Sequence, residues 1–398
     1  MPRHRLLTIG VVRTSRKDSE RRVPLHPDDL SHIRPDLLQR LIFERGYGVD
    51  FNCPDDSLLA RGTHLATRDE LFRICDLLIL PKPTTADLSY MSAGQTLWGW
   101  QHCVQNPDFV QVAIDRRLTL IAWEAMYITN TRASRPTHVF YANNELAGAA
   151  AVHHTLDLVR IPARCGSLGK VVIIGYGSVS RGAINAFLKR GYADIHVYTR
   201  RPLCMLDRCL PGIAYHHIDI HHPDGDIIAH DDAGPRPLVA ALQEANIICN
   251  GILQDLTHPL MFLTNHTAHT LHPSTTLIDI SCDKGLGFPF ARPTTFREPI
   301  VTVAHGLRYY AVDHTPNYFW RSASRAISNA ALPYLDAIAA GPSAWHAHDT
   351  IRDAIDIQDG VIRNPNILSF QRRHPHYPHS FLSAPITTRK KAASDELA

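Results

Sequence analysis

The sequence has no CxxC pair and no regular cysteine framework. Its eight cysteines, Cys53, Cys75, Cys103, Cys165, Cys204, Cys209, Cys249 and Cys282, are scattered, most of them in apolar runs such as RICDLLIL and ANIICNG. This argues against a disulfide scaffold and reads as reduced core thiols in a cytoplasmic protein. No run of about 18 apolar residues occurs, so no membrane span is expected. The opening MPRHRLLTIGVVR holds too short an apolar run for a signal peptide. An excess of one charge is also lacking. Lys and Arg total 41 against 38 Asp and Glu, a net +3, which argues against a dedicated nucleic-acid binder. No internal repeat is found.

What is present is globular. A chain of 398 residues, 44% hydrophobic and 20% charged, has material for two cores and predicts two domains. Short apolar strands alternate with helix-like segments. LLTIGVV (6–12), CDLLILP (75–81) and LTLIAWE (118–124) read as strands, and the Leu- and Arg-rich SHIRPDLLQRLIFERG reads as helical. This rhythm predicts a mainly parallel sheet covered on both faces. A long helix, NELAGAAAVHHTLDLVR, follows from about Asn144. Then KVVIIG (170–175) opens a second series with DIHVYTR (194–200), ANIICNG (245–251) and TTLIDIS (275–281). An Ala-rich helical pattern over 322–341 is expected to return to the first domain.

The expected fold is therefore α/β, with two Rossmann-like domains. The dinucleotide-binding domain (144–309) is inserted into a discontinuous substrate domain (1–143 and 310–371), with the active cleft between them. The tail at 372–398, rich in His, Pro and charge, is expected to be loosely ordered.

The stretch KVVIIGYGSVSRG is a buried strand running into a glycine turn and a helix. Gly175 would make the tight turn and Gly177 would admit a pyrophosphate to the backbone. The helix start, with Ser178, would supply amide donors. Ser180 replaces the usual third glycine; it is small enough for close helix–strand contact, as is Gly182. Asn250 and Gly251, at the end of a later strand, complete the candidate cofactor contacts. The second strand ends without the acidic residue that binds a ribose hydroxyl. Thr199, Arg200 and Arg201 stand there instead, which suits a 2′-phosphate and predicts NADPH.

Three basic groups stand out in the first domain. They are Arg22 in SERRVPLHP, Lys82 in LILPKPT and His102 in LWGWQHCVQ. Arginine and lysine suit the carboxylate of a 2-keto or 2-amino acid, and the histidine could move its proton. Asp279 and Asp283, in LIDISCDKGLG, are expected near the nicotinamide. Taken singly, each is an ordinary surface ion or core histidine. The segment YHHIDIHH (215–222) has four histidines, but no cysteine or carboxylate at recognised ligand spacing. It reads as a solvated strand or loop, and no metal site is assigned. CMLDRC (204–209) also lacks zinc spacing.

Together these segments resemble a known family. IGVVRTSRKDSERRVPLHPDDL, LPKP, QHCVQ, GYGSVSRG and LIDISCDKGLG are similar, in order, to alanine dehydrogenases and the catalytic part of nicotinamide nucleotide transhydrogenase, over about residues 8–340. FYANNELAGAAAVHH, DISCDKGLGFPFARPTTFREPIVTV and YYAVDHTPNYFWRSAS resemble, more narrowly, the N5-(carboxyethyl)ornithine synthases. The resemblance implies that Arg22 and Lys82 bind a keto-acid carboxylate. His102 becomes the acid/base group and Asp283 the acid beside the nicotinamide. Asp313 and His314 fall on a motif of the narrower group and are assigned to the second, amine-bearing substrate.

The implied reaction condenses a 2-keto acid such as pyruvate with the side-chain amine of ornithine or lysine and reduces the imine with NADPH. The rival readings are an alanine dehydrogenase-type enzyme using ammonia and a non-catalytic dinucleotide-binding protein. The expected partners are small molecules, and the resemblance implies a homo-oligomer.

Overall fold

The structure, a computed structural model, describes residues 6–13, 15–129, 136–159, 168–221, 226–255 and 259–382. Two sheets organise it. In the first, the strands His64–Ala66, Leu41–Glu44, Ile9–Val11, Leu77–Ile79, Thr96–Gly99 and Thr119–Ala122 lie side by side in that order, all parallel. Numbered along the chain, they run 3-2-1-4-5-6, the order of a Rossmann sheet. Ile355–Gln358 and Val361–Ile362 then add antiparallel at the edge beyond Thr119–Ala122.

The second sheet repeats the plan. Its parallel strands are ordered Ala214–His221, Ile195–Thr199, Val171–Ile174, Ile247–Asn250, Thr276–Asp279 and Leu307–Tyr310. Within the series that Val171–Ile174 opens, this is again 3-2-1-4-5-6. Asp226–Asp231 and Gly234–Pro237 extend one edge antiparallel, and Ile300–Val303 extends the other. The fold is α/β with two Rossmann-like halves.

The central strands are apolar on both faces because both faces are covered. Ile9, Val11, Leu77 and Ile79 pack with Ile327, Leu335 and Ile338. Leu78, Leu80, Leu97 and Leu120 face the opposite cluster. In the second sheet Val172, Ile174 and Ile248 serve one face, and Val171, Ile173 and Ile247 the other. The helices Tyr141–Leu158 and Ser178–Lys189 touch so closely that a Cβ on Gly148 or Gly182 would strike the backbone carbonyl of Val179 or Glu145. Gly182 thus serves helix–helix contact, not the helix–strand contact expected of it.

Two local expectations fail for tertiary reasons. The run LIFE, read as helix, is the strand Leu41–Glu44. Pairing with Ile9–Val11 overrides its helical surroundings, and helix is confined to Pro35–Leu38 and the 3-10 turn Pro27–His32. Residues 372–382 are not loose. Arg373 is buried, lies 4.0 Å over the Phe381 ring, and donates to Gln371 Oε1, Gln111 Oε1, Pro107 O and His379 O. His379, fully buried, accepts from the Ile362 amide at 3.0 Å. A guanidinium given this many acceptors holds its segment down. Residues 383–398 of the expected tail lie outside the described residues.

Among the described residues no helix is long and apolar enough to cross a membrane. The described cysteines are unpaired, and Cys165 lies outside them.

Candidate active site

In an open parallel sheet, ligands lie beyond the carboxyl ends of the strands, where the strand order reverses. In the first sheet that point falls between Ile9–Val11 and Leu77–Ile79. Arg22 follows the first of these strands, Lys82 follows the second, and His102 follows the neighbouring Thr96–Gly99. All three line one cleft of about 380 Å³. Asp283, Asp313 and His314 line it too, together with Lys17, Trp100 and Asn143.

Arg22 is only 2% exposed. Its Nε and Nη2 donate to the two oxygens of Glu20, at 2.8 and 2.5 Å. Nη1 donates to Asn143 Oδ1 at 3.3 Å, and the guanidinium sits 5.2 Å from the Trp100 ring centre. Glu20 thus takes the side edge of the fork and leaves N–H groups at its end, the geometry that receives a second carboxylate. Burial pushes the Glu20 carboxyl up, but the Arg22 charge and hydrogen bonds win and hold it below the usual range.

Lys82 Nζ donates to His102 Nε2 at 2.8 Å. The acceptor nitrogen must then carry no proton, so the neutral ring is protonated at Nδ1. Burial and then the Lys82 charge disfavour the imidazolium, pulling His102 down to about 3. Its side chain is 45% exposed, but the opening is into the cleft between the two sheets. Burial likewise pulls the Lys82 ammonium below its ordinary range, against the opposing Asp313 charge.

His102 has left-handed backbone, φ 48°, and its N–H donates to Glu124 Oε1 at 2.5 Å. Cys282, facing the same cleft beside Asp283, is also left-handed at φ 45°. Non-glycine residues hold this conformation only where the surroundings enforce it.

Asp313 Oδ2 accepts from Lys17 Nζ at 2.6 Å, and its Oδ1 lies 2.6 Å from His314 Nδ1. Burial would raise its carboxyl, but His314, Lys82 and Lys17 together hold it far below the usual range. Asp313 therefore acts as a fixed anion that positions Lys17. His314 Nε2 reaches the Asp18 carbonyl at 3.0 Å, so both its nitrogens are engaged with protein.

Asp283 Oδ1 accepts from Gln105 Nε2 at 2.9 Å, a bond from one half of the molecule to the other, and burial raises its carboxyl. Asp279 is different. It accepts from Asn250 Nδ2, Tyr309 Oη and the Cys282 amide, and burial raises it to about 6. It does not line the cleft; it orders the turn that carries Cys282 and Asp283.

The expected cofactor residues gather at the switch point of the second sheet. Gly175 has φ 89°, which only glycine adopts without strain. Gly177 caps the helix Ser178–Lys189, has open space where a side chain would be, and provides no side-chain cap. The first helical amides therefore face that space, as a pyrophosphate requires. Ser180 is fully buried against Gly251, with an unpartnered hydroxyl. Ser178 Oγ accepts from Arg181 at 3.2 Å. The Asn250 amide is engaged with Asp279 and the Ile252 N–H, which makes it an organiser of the loop. Thr199 is buried, Arg200 exposed, and Arg201 lies over Tyr176 at 5.4 Å. The residues present fit a dinucleotide. None of them is among the residues that line the cleft, so the structure forms two clusters.

Lys17, Glu20, Asn143 and Glu124 were not anticipated. Lys17 and Glu20 precede Arg22 in RKDSERR, so charge density was the available signal. Glu124 had none. Its carboxyl, raised by burial to about 7, has one buried oxygen without a partner.

Fold and site define the class: two Rossmann-like halves with a charged cleft beside a glycine-turn helix. The chain belongs to the alanine dehydrogenase/PNT family, whose N-terminal domain model matches residues 10–143 and whose C-terminal domain model matches residues 148–365. It is 26% identical over 323 residues to an N(5)-(carboxyethyl)ornithine synthase of Clostridium botulinum, covering 78% of this chain and 89% of that protein. It is 26% identical over 333 residues to an alanine dehydrogenase of Halomonas elongata, covering 80% and 84%. A solved L-alanine dehydrogenase has the same fold at TM-score 0.72 and 19% identity, covering 91% of this chain and 98% of that one.

Proposed function

We propose that the protein is an NADPH-dependent enzyme that condenses a 2-keto acid, pyruvate in the first instance, with the side-chain amine of ornithine or lysine and reduces the imine. The observation that carries this reading is the grouping of the Arg22 fork, the Lys82–His102 pair and Asp283 in one cleft beside the dinucleotide turn.

The free end of the Arg22 fork and Lys82 hold the keto-acid carboxylate. A neutral amine adds to the carbonyl carbon, and the oxygen leaves as water after taking up two protons. The amine nitrogen releases the protons that the oxygen needs; Lys82 Nζ, its ammonium destabilised by burial, relays them, and His102 Nε2, held neutral, accepts the Lys82 hydrogen bond and orients it. A bound nicotinamide dinucleotide supplies hydride to the imine carbon. Asp283 and Gln105 join the two halves at the edge of the cleft.

Arg200 and Arg201, with no acidic residue at the strand end, support NADPH over NADH. The likeness to carboxyethylornithine synthases supports a diamine acceptor. A cytoplasmic homo-oligomer belongs to the same reading. The alternative, ammonia as the amine, is favoured by the equally similar alanine dehydrogenases.

The deciding assay follows dinucleotide oxidation with pyruvate and ornithine, lysine or ammonia, using NADPH and then NADH. Turnover only with a diamine and NADPH is the expected result. Turnover with ammonia and NADH would replace this reading with the alternative. Dinucleotide binding without turnover of any amine would leave a non-catalytic binder.

A further inference from the structure

The second sheet carries a histidine cluster that the reaction does not use. Ala214–His221 and Asp226–Asp231 run antiparallel, and His217 pairs directly with His230 across the ladder. Asp219 lies two residues beyond His217, so it stands on the same face of the ribbon. One ligand atom from each of the three lies within 4.8 Å of the others. Asp219 Oδ2 is 2.8 Å from His230 Nε2, and its Oδ1 is 3.3 Å from His217 Nδ1.

We propose that His217, Asp219 and His230 form a binding site for a divalent transition-metal ion of the zinc type. Bonds of about 2.0–2.1 Å to a tetrahedral ion put neighbouring ligand atoms about 3.3 Å apart; the three ligand atoms, all within 4.8 Å of one another, reach that spacing by small side-chain rotations. Two imidazoles and one carboxylate suit zinc, cobalt or nickel and not magnesium or calcium, which take oxygen.

The ring of His217 is already set for this. Its Nε2 lies 3.2 Å from the Arg200 carbonyl, which can only accept, so the proton sits on Nε2. The Nδ1 lone pair then points at Asp219. A carbonyl holding the far N–H of a histidine is the usual outer shell of a metal ligand.

Both strands are held in register by the ladder, so the ligands are placed before the ion arrives. All three are at least partly exposed, which leaves a route in and a fourth position for water or another ligand. The Arg200 carbonyl puts the site one hydrogen bond from the residues expected at the cofactor's 2′-phosphate. The inference is independent of the proposed reaction.

The plain alternative is a solvated ion pair, and metal titration separates the two. Cobalt(II) is titrated into the chelator-treated full chain and followed by its visible absorption, with zinc as competitor. His217→Ala, His230→Ala and, as a control for the chain's many other histidines, the exposed His269→Ala are compared. One equivalent with intense four-coordinate absorption, displaced by zinc, is expected for the wild type and His269→Ala. Each ligand variant should bind more weakly by at least the roughly 10–100-fold that loss of an outer-shell partner causes. Circular dichroism of the metal-free variants checks that they fold. Equal affinity in all four proteins, or absorption of a six-coordinate ion only, overturns the site.

Discussion

The two halves have the same strand order and use the same three strand ends, yet they present opposite chemistry. After its first, fourth and fifth strands the N-terminal sheet offers Arg22, Lys82 and His102. After the corresponding strands the second sheet offers the Gly175–Gly177 turn, Gly251 and the Ser281–Asp283 turn. In the proposed reaction one half recognises with side-chain cations, whose reach is long and whose charge must be held by partners such as Glu20 and Asp313. The other uses bare backbone, which works only where glycine lets the chain turn and a ligand approach. The scaffold supplies positions, and the residues placed there decide what is bound.

The comparison breaks most sharply at Lys82. Lys82→Met should lower kcat/KM by about 10²–10⁴ while the dissociation constant for the dinucleotide stays within about twofold, because a proton carrier is lost on one side only. Steady-state kinetics and a fluorescence titration read the two effects. Arg22→Lys removes the fork; KM for the keto acid should rise about 10–100-fold, the scale of a lost charged hydrogen bond.

The reverse break is at Gly175. Alanine at φ 89° costs about 1–2 kcal/mol, so Gly175→Ala should weaken dinucleotide binding about tenfold and leave keto-acid inhibition patterns unchanged. Arg200→Ala should cut the preference for NADPH over NADH by about tenfold, read as the ratio of the two kcat/KM values.

The smallest effect is a pH effect, and it tests the charge coupling in the first half. Burial and the Lys82 charge both disfavour the His102 imidazolium, so its folded value, about 3, lies below the ordinary 6.5. The stability this contributes is complete above 6.5 and is lost as pH falls through about 3. An NMR titration should find His102 neutral at pH 5, and in Lys82→Met its titration should move upward. An unchanged titration would show that Lys82 carries no charge beside it.

Features set by neighbours along the chain could be read without the fold. The glycine turn, its preceding strand and its following helix were legible because all three are set by neighbours along the chain. Arg22, Lys82 and His102 were legible as strand-end residues, although their convergence was not. Asp279 and Asp283 looked alike four residues apart, and only packing made one a buried brace and the other a cleft residue. The strand Leu41–Glu44 was misread because its pairing with Ile9–Val11 lies about thirty residues away. Arg373 was placed in a loose tail because its acceptors on Gln111 and Pro107 are 262 and 266 residues away in the chain.

The sequence by itself determined the two α/β halves, the glycine turn and the basic residues of the cleft, since strand periodicity, glycine spacing and residue type act over a few neighbours. Tertiary structure alone decided which charges meet. The Glu20 clamp on Arg22 shapes its free edge, and the Lys82–His102 contact sets the proton on Nδ1. Cross-strand register, not spacing in the chain, joins His230 to His217 and Asp219. Electrostatic and ligand fields depend on distances of a few ångströms, and those are fixed only when separate strands pack.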